Sequence, residues 1–214
     1  MSIITKLIDF ALHIDKYLGI LIQMYGLWIY AILFLIIFLE TGLVFTPFLP
    51  GDSLLFVTGT YAGSGMINLP VIIILFIVAA VLGDAVNFYI GKKFGILIFE
   101  KNKLVNIKYY EKTQKFYNKH GGKTIILARF IPIVRTFAPF VAGISKMKYL
   151  RFLSYNIIGG IVWVLVFVLS GYFFGKITFV EQNLTLVTYI IILISFIPAV
   201  IEFVRHYLNR NTDG

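Results

Sequence analysis

The sequence predicts an all-α polytopic membrane protein, and three observations carry that expectation. Hydrophobic residues make up 59% of the 214 and charged residues only 14%, with a mean hydropathy of +0.91. So few charges cannot cover the apolar surface of a soluble domain this size. Three stretches, 68–92, 150–175 and 184–205, each supply the roughly 20 apolar residues that a helix needs to cross hydrocarbon. Two further apolar stretches are broken and charged. Residues 25–64 contain Glu40, Pro47, Pro50, Gly51 and Asp52, and residues 122–143 contain Arg129, Pro132, Arg135 and Pro139. The chain, 1–214, reads as a single membrane domain with no room for a separate soluble catalytic domain.

Taken in order, residues 1–20 place Ser2, Lys6, Asp9, His13 and Lys16 on one helical face, with Ile4, Leu7, Ile8, Ala11 and Leu18 largely on the other. Asp9 and Asp15 interrupt any signal-peptide core, so an amphipathic helix lying in the interface is expected. In 25–64 the prolines remove backbone donors and break the helix. Broken backbone is tolerated at membrane depth only where protein or a water-filled cavity covers it. A re-entrant hairpin shaped by Pro47, Pro50 and Gly51 satisfies that condition. Residues 68–92 form the first full span, which carries Asp84.

Between Lys92 and Lys123 nine lysines face two acids, Glu100 and Glu111, interleaved with Tyr109, Tyr110, Phe116 and Tyr117. A basic run flanked by spans points to anionic lipid rather than nucleic acid, so 104–120 is expected to be a basic amphipathic helix at the membrane surface. Residues 122–143 repeat the broken pattern, with Pro132 and Pro139 shaping a second re-entrant hairpin. The spans 150–175 and 184–205 follow. The absence of cysteine excludes disulfides, thiol catalysis and thiolate metal sites. No metal or cofactor is expected.

The halves match weakly at an offset of 80 residues. Ala62-Gly63 falls on Ala142-Gly143, and Gly91-x-x-Phe94-Gly95 on Gly171-x-x-Phe174-Gly175. Each half then reads as amphipathic helix, broken hairpin and span, an inverted repeat of the kind that places a site at the repeat interface. The positive-inside rule puts 92–123 and Lys146, Lys148 and Arg151 in the cytoplasm, with Lys176 and Glu181 outside. The N-terminus stays unassigned because Lys6 and Lys16 cancel Asp9 and Asp15.

An ionised side chain inside a membrane costs at least a few kcal/mol and needs a partner, water or a ligand. Internal pairing that pins the hairpins together is one reading of Glu40, Asp52, Asp84, Arg129 and Arg135. It suits Asp84 best, in a regular helix, as a packing or tuning residue. The other four lie on broken segments and invite more. Guanidinium binds phosphate in a forked geometry, so Arg129 and Arg135 are candidates for an anionic lipid headgroup. A carboxylate in low dielectric holds a proton more readily than one in water, so Glu40 and Asp52 are candidates for proton handling and gating. Phosphate binding with proton exchange describes a transporter of a phosphorylated lipid.

The strings Glu40-Thr41-Gly42, Pro47-Phe48-Leu49-Pro50-Gly51-Asp52 and Arg129-Phe130-Ile131-Pro132-Ile133-Val134-Arg135-Thr136, with Gly83-Asp84 and the Gly91 and Gly95 pair, resemble the DedA family, whose eukaryotic relatives include the VTT-domain lipid scramblases. The resemblance covers roughly 26–175. It implies facing re-entrant hairpins, a bacterial cytoplasmic-membrane location and lipid translocation. The implied substrates include undecaprenyl phosphate, returned across the membrane for reuse in wall synthesis, and phosphatidylethanolamine, and some members are linked to proton-motive force. The family's essential acids fall on Glu40 and Asp52, and its essential arginines on Arg129 and Arg135.

Other classes fit less well. A lipid phosphatase needs a nucleophile or acid/base near the phosphate. The histidines, His13, His120 and His206, all flank the apolar segments. Pro50-Gly51-Asp52-Ser53 superficially resembles the Pro-Gly-x-Ser start of undecaprenyl pyrophosphate phosphatases, but is followed by Leu54 and Leu55, without the arginine that those enzymes carry soon after. An ion or proton antiporter suits the acids, but two arginines repel cations. In a structural or insertion factor the charges would be staples. The glycine pairs could mark a homodimer face or close packing within one bundle. The aromatic residues read mostly as lipid-facing or interfacial, with no ligand role.

Overall fold

The computed structural model describes residues 14–43, 51–101, 122–145, 147–194 and 197, and all the regular structure in them is helical. In chain order the helices are α1 (Ile14–Tyr25), α2 (Trp28–Gly42), α3 (Gly51–Gly63), α4 (Leu69–Lys101), α5 (Lys123–Ala128), α6 (Pro132–Ile144), α7 (Tyr149–Phe174) and α8 (Thr178–Gln182), followed by α9 (Leu184–Ile194). Among the described residues, two helices are long and apolar enough to cross a membrane, Leu69–Lys93 within α4 and all of α7, Tyr149–Phe174. They coincide with the first two expected spans. The third is described only over α9. The basic segment 104–120, Pro47 and Pro50 and most of the N-terminal helix lie outside the described residues. The helix that is described near the N-terminus runs past the expected end at residue 20, to Tyr25. Gly26, at φ +52°, turns the chain from it into α2, and Gly65, at φ +82°, turns it from α3 towards α4; both take the left-handed region that glycine enters without steric cost.

The four helices of the two broken segments are short. At about 1.5 Å per residue, the 15 residues of α2 reach about 22 Å, and the 13 residues each of α3 and α6 about 20 Å. The chain breaks between α5 and α6 at Arg129–Ile131. Pro132 follows as the first residue of α6, where its missing N–H costs no helical bond. Pro139 lies inside α6 rather than at the break, and removes the amide that would otherwise bond the Arg135 carbonyl.

Each short helix packs on a long one. α2 and α6 flank α4, while α3 and α5 flank α7. The directions follow from the partners. Tyr30 Oη accepts from the Asn68 amide, and Gly42 meets Gly83, so α2 runs parallel to α4. Trp163 bonds Asp52, and Thr60 Oγ1 donates to the Gly171 carbonyl, so α3 runs parallel to α7. Phe88 stacks on Phe152 at 4.4 Å, and Asn156 bonds the Val81 carbonyl, so α4 and α7 are antiparallel. α2 and α3 therefore run in opposite directions. Gly122 meets Tyr155 and Gly159 meets Ile126, so α5 runs parallel to α7. Asn87 bonds the Thr136 carbonyl and Gly91 meets Phe140, so α6 runs parallel to α4. The α5 and α6 helices thus have the same opposed relation.

Two crossings bring backbones into contact through glycine. A Cβ on Gly59 would overlap the Val168 carbonyl oxygen, and one on Gly171 the Phe56 carbonyl oxygen. In the other half, a Cβ on Gly143 would overlap the Phe88 oxygen, and one on Gly91 the Phe140 oxygen. Val168 and Phe88, like Gly171 and Gly91, are 80 residues apart. Gly143 and Gly59, like Phe140 and Phe56, are 84 apart. The crossings correspond, with the short helix shifted by one turn relative to the offset read from sequence. Gly91 and Gly171 are thus engaged inside one chain.

Candidate functional site

Five ionisable side chains, Glu40, Asp52, Asp84, Arg129 and Arg135, are buried where the ends of the short helices converge between α4 and α7. Glu40 lies near the C-terminal end of α2, a position its apolar neighbours drive inward with Ile29, Leu33 and Ile37. Asp52 is the second residue of α3, where a carboxylate is favoured by the helix dipole. Gly51 begins that helix directly against the Glu40 carboxylate; a Cβ at 51 would come within 2.5 Å of Glu40 Oε1. Any larger residue there would have to displace the Glu40 carboxylate.

The charges separate into two clusters. In the first, Arg135 Nη1 donates to Asp52 Oδ1 at 2.7 Å, and Arg135 Nη2 donates to Glu40 Oε1. One guanidinium thus bridges two acids from different helices. Trp163 Nε1 also donates to Asp52 Oδ1, at 2.8 Å. In the second cluster, Arg129 Nη2 donates to Asp84 Oδ2 and to Asn156 Oδ1, and Asn156 Nδ2 donates on to the Val81 carbonyl at 3.1 Å. Gly159 and Gly160 leave room for the Arg129 side chain against α7; a Cβ on Gly159 would stand 3.1 Å from Arg129 Cδ.

Both clusters touch one indole. Arg135 Cζ lies 4.8 Å from the Trp163 ring centroid and Arg129 Cζ 5.9 Å, both within cation–π range. Asn87 ties the frame together: its Nδ2 donates to the Thr41 carbonyl at 3.2 Å and to the Thr136 carbonyl at 2.8 Å. It thereby joins α2, α4 and α6.

Charge-assisted hydrogen bonds of this kind are the strong ones, yet the set is incomplete. Arg129 Nε and Nη1, Arg135 Nε, Glu40 Oε2 and Asp84 Oδ1 are buried with no hydrogen-bond partner among the described residues. Three acids against two arginines also leave the site one proton short of neutral. Spare guanidinium donors suit an oxyanion, and the surplus carboxylate suits a proton or a cationic group. No group of three or more His, Cys, Asp or Glu side chains suited to a metal occurs among the described residues.

All five charged residues expected from sequence are therefore brought together, including Asp84, which joins the centre as the counter-ion of Arg129. Three partners carried no sequence signal as site residues. Trp163 is fully buried rather than lipid-facing, and Asn87 and Asn156 are the polar links to the backbone.

The VTT domain profile matches residues 49–173, the stretch from the α3 N-terminus to the end of α7. Protein DedA of Escherichia coli K12 is 55% identical over 210 residues, covering 96% of each chain. An uncharacterized membrane protein of Mycobacterium leprae is 44% identical over 178 residues, 82% of this chain and 80% of its own. The inner membrane protein YqjA of E. coli K12 is 38% identical over 150 residues, 69% of this chain and 68% of its own. No solved structure matches the chain.

Proposed function

This chain belongs to the DedA family of VTT-domain membrane proteins of the bacterial inner membrane, and we propose that it moves a phosphorylated lipid, undecaprenyl phosphate, across that membrane for reuse in envelope synthesis. The observation that carries this reading is Arg135 held between Glu40 and Asp52 in a buried site. A phosphate offers a guanidinium the same two-oxygen geometry as its carboxylates, so headgroup and acids compete for one fork. Proton uptake by Glu40 or Asp52 weakens the acids' hold and frees Arg135 for the headgroup. Arg129, near the same Trp163 ring as Arg135, keeps donors without a partner among the described residues. Loss of the proton on the other side restores the ion pairs and expels the lipid.

The helix geometry supports two re-entrant hairpins. Each arm falls short of the roughly 30 Å of hydrocarbon, and the arms of each pair run in opposite directions. The α2–α3 pair then enters from the side opposite the lysine-rich end of α4, and the α5–α6 pair enters from that end. The corresponding glycine crossings support an inverted repeat, with the charges at its interface.

A second reading is a phosphatidylethanolamine flippase or scramblase. The surplus carboxylate favours it, because that headgroup carries an ammonium beside its phosphate. A proton-dependent ion antiporter fits less well, since two buried guanidiniums oppose a cation path. Purified protein in liposomes decides among them, with labelled undecaprenyl phosphate or phosphatidylethanolamine, with and without a pH gradient. The expected result is undecaprenyl phosphate crossing faster than in empty liposomes, accelerated by the gradient. If neither lipid crosses faster than in empty liposomes, the reading fails.

A further inference from the structure

We propose that Trp163 is a positioning residue for the translocation step, anchoring Asp52 while Arg135 moves between carboxylate and headgroup. The inference rests on the lipid-transport reading and concerns a residue outside the four charges already assigned. Asp52 Oδ1 accepts from two donors, Arg135 Nη1 at 2.7 Å and Trp163 Nε1 at 2.8 Å. The donors have different fates. The guanidinium is at the end of a long side chain and can leave for a phosphate. The indole is fully buried on the long helix α7, with two χ angles and Phe167 packed edge-on at 6.4 Å. When Arg135 exchanges partners, the indole N–H keeps Asp52 at the start of α3. The carboxyl group is then in place to take the arginine back.

The ring face has a second effect. Arg135 and Arg129 both lie in cation–π range of the same indole. A guanidinium that releases its carboxylate therefore stays over a π surface instead of facing hydrocarbon, and its path between partners is short. Trp163 is a hinge post between the clusters: one edge holds the acid, and its face receives the cations. A purely packing tryptophan would also need an acceptor for its N–H, but not one shared with an arginine, nor two cationic neighbours over its face.

The sequence contains two tryptophans. Trp28 is exposed at the first residue of α2, away from the charged site, so W28F leaves Trp163 as sole emitter at little cost. In W28F protein the emission is expected to shift when D52N is added, because the bonded acceptor changes from a carboxylate to an amide. Lipid movement in liposomes is expected to fall about tenfold or more in W163F, the loss of one hydrogen bond to a charged group, when compared at a temperature well below the variant's lowered thermal midpoint. W163F removes only the N–H edge and keeps an aromatic face. If W163F does not fold, the fluorescence of W28F against W28F/D52N carries the test alone. Wild-type rates in W163F, or emission indifferent to D52N, would overturn the proposal. Failure of the lipid-transport reading shows separately, as wild-type protein that moves no lipid while the emission still responds to Asp52.

Discussion

Two arginines six residues apart meet different surroundings. Arg135 bridges two carboxylates, Glu40 and Asp52, both from the first broken segment. Arg129 meets one carboxylate, Asp84 on α4, and one amide, Asn156 on α7. The Arg129 cluster is formally neutral and fastened to the two long helices. The Arg135 cluster carries a surplus negative charge and joins one short-helix pair to the other. A neutral pair on rigid spans suits holding; a negative cluster between shorter elements suits exchange. The contrast teaches where a proton and a headgroup would act, since only the second cluster gains neutrality from a proton.

The sharpest way to break this comparison is to remove each arginine in turn. R135A leaves two buried carboxylates facing each other without a cation. It is expected to abolish lipid movement and to cost about 3–5 kcal/mol of stability, read as a lowered thermal midpoint in detergent. R135K is expected to fold but to lose most transport, because an ammonium cannot reproduce a planar fork. R129K should retain more transport than R135K, since a lysine can still pair with Asp84 alone. Equal losses in the two lysine variants would erase the distinction between holding and exchange.

A double substitution sharpens it further. R129Q alone strands the Asp84 carboxylate, whereas D84N/R129Q removes both charges. The double variant is expected to recover at least half of the stability lost by R129Q, because an unpaired buried charge costs more than an absent pair. Smaller effects test the correspondence of the two halves. G59A and G143A each force a Cβ onto a carbonyl of the facing helix and are expected to cost about 1–3 kcal/mol each. Thermal midpoints that fall together support equivalent crossings, and a fall in only one argues against them. G65A, in open space at φ +82°, is expected to cost only about 1 kcal/mol.

Much of this was legible before the fold was known. Charge is so costly in hydrocarbon that Glu40, Asp52, Arg129 and Arg135 stand out wherever they occur in apolar stretches, and proline marks the segments that cannot be simple spans. Which acid meets which arginine was not legible. Asp84 looked like a tuning residue because its helix is regular, yet the antiparallel packing of α4 and α7 sets it across from the break after α5, where Arg129 sits. Trp163 was hidden for a related reason. In a membrane helix an apolar face toward lipid and an apolar face toward protein have the same composition, so a lone tryptophan gives no sign of which way it points. The glycine crossings at Gly59 and Gly143 correspond at 84 residues, and a fixed offset of 80 does not reveal a shift of one helical turn.

The most direct test of the central claim is whether Arg135 trades its carboxylates for a lipid phosphate. Binding of undecaprenyl phosphate to purified protein in detergent can be measured for wild type, R135K and E40Q. The account predicts weaker binding in R135K, by at least tenfold, and binding in E40Q at least as tight as wild type, since one competitor for the guanidinium has been removed. Binding unchanged in R135K, or lost in E40Q, would contradict it.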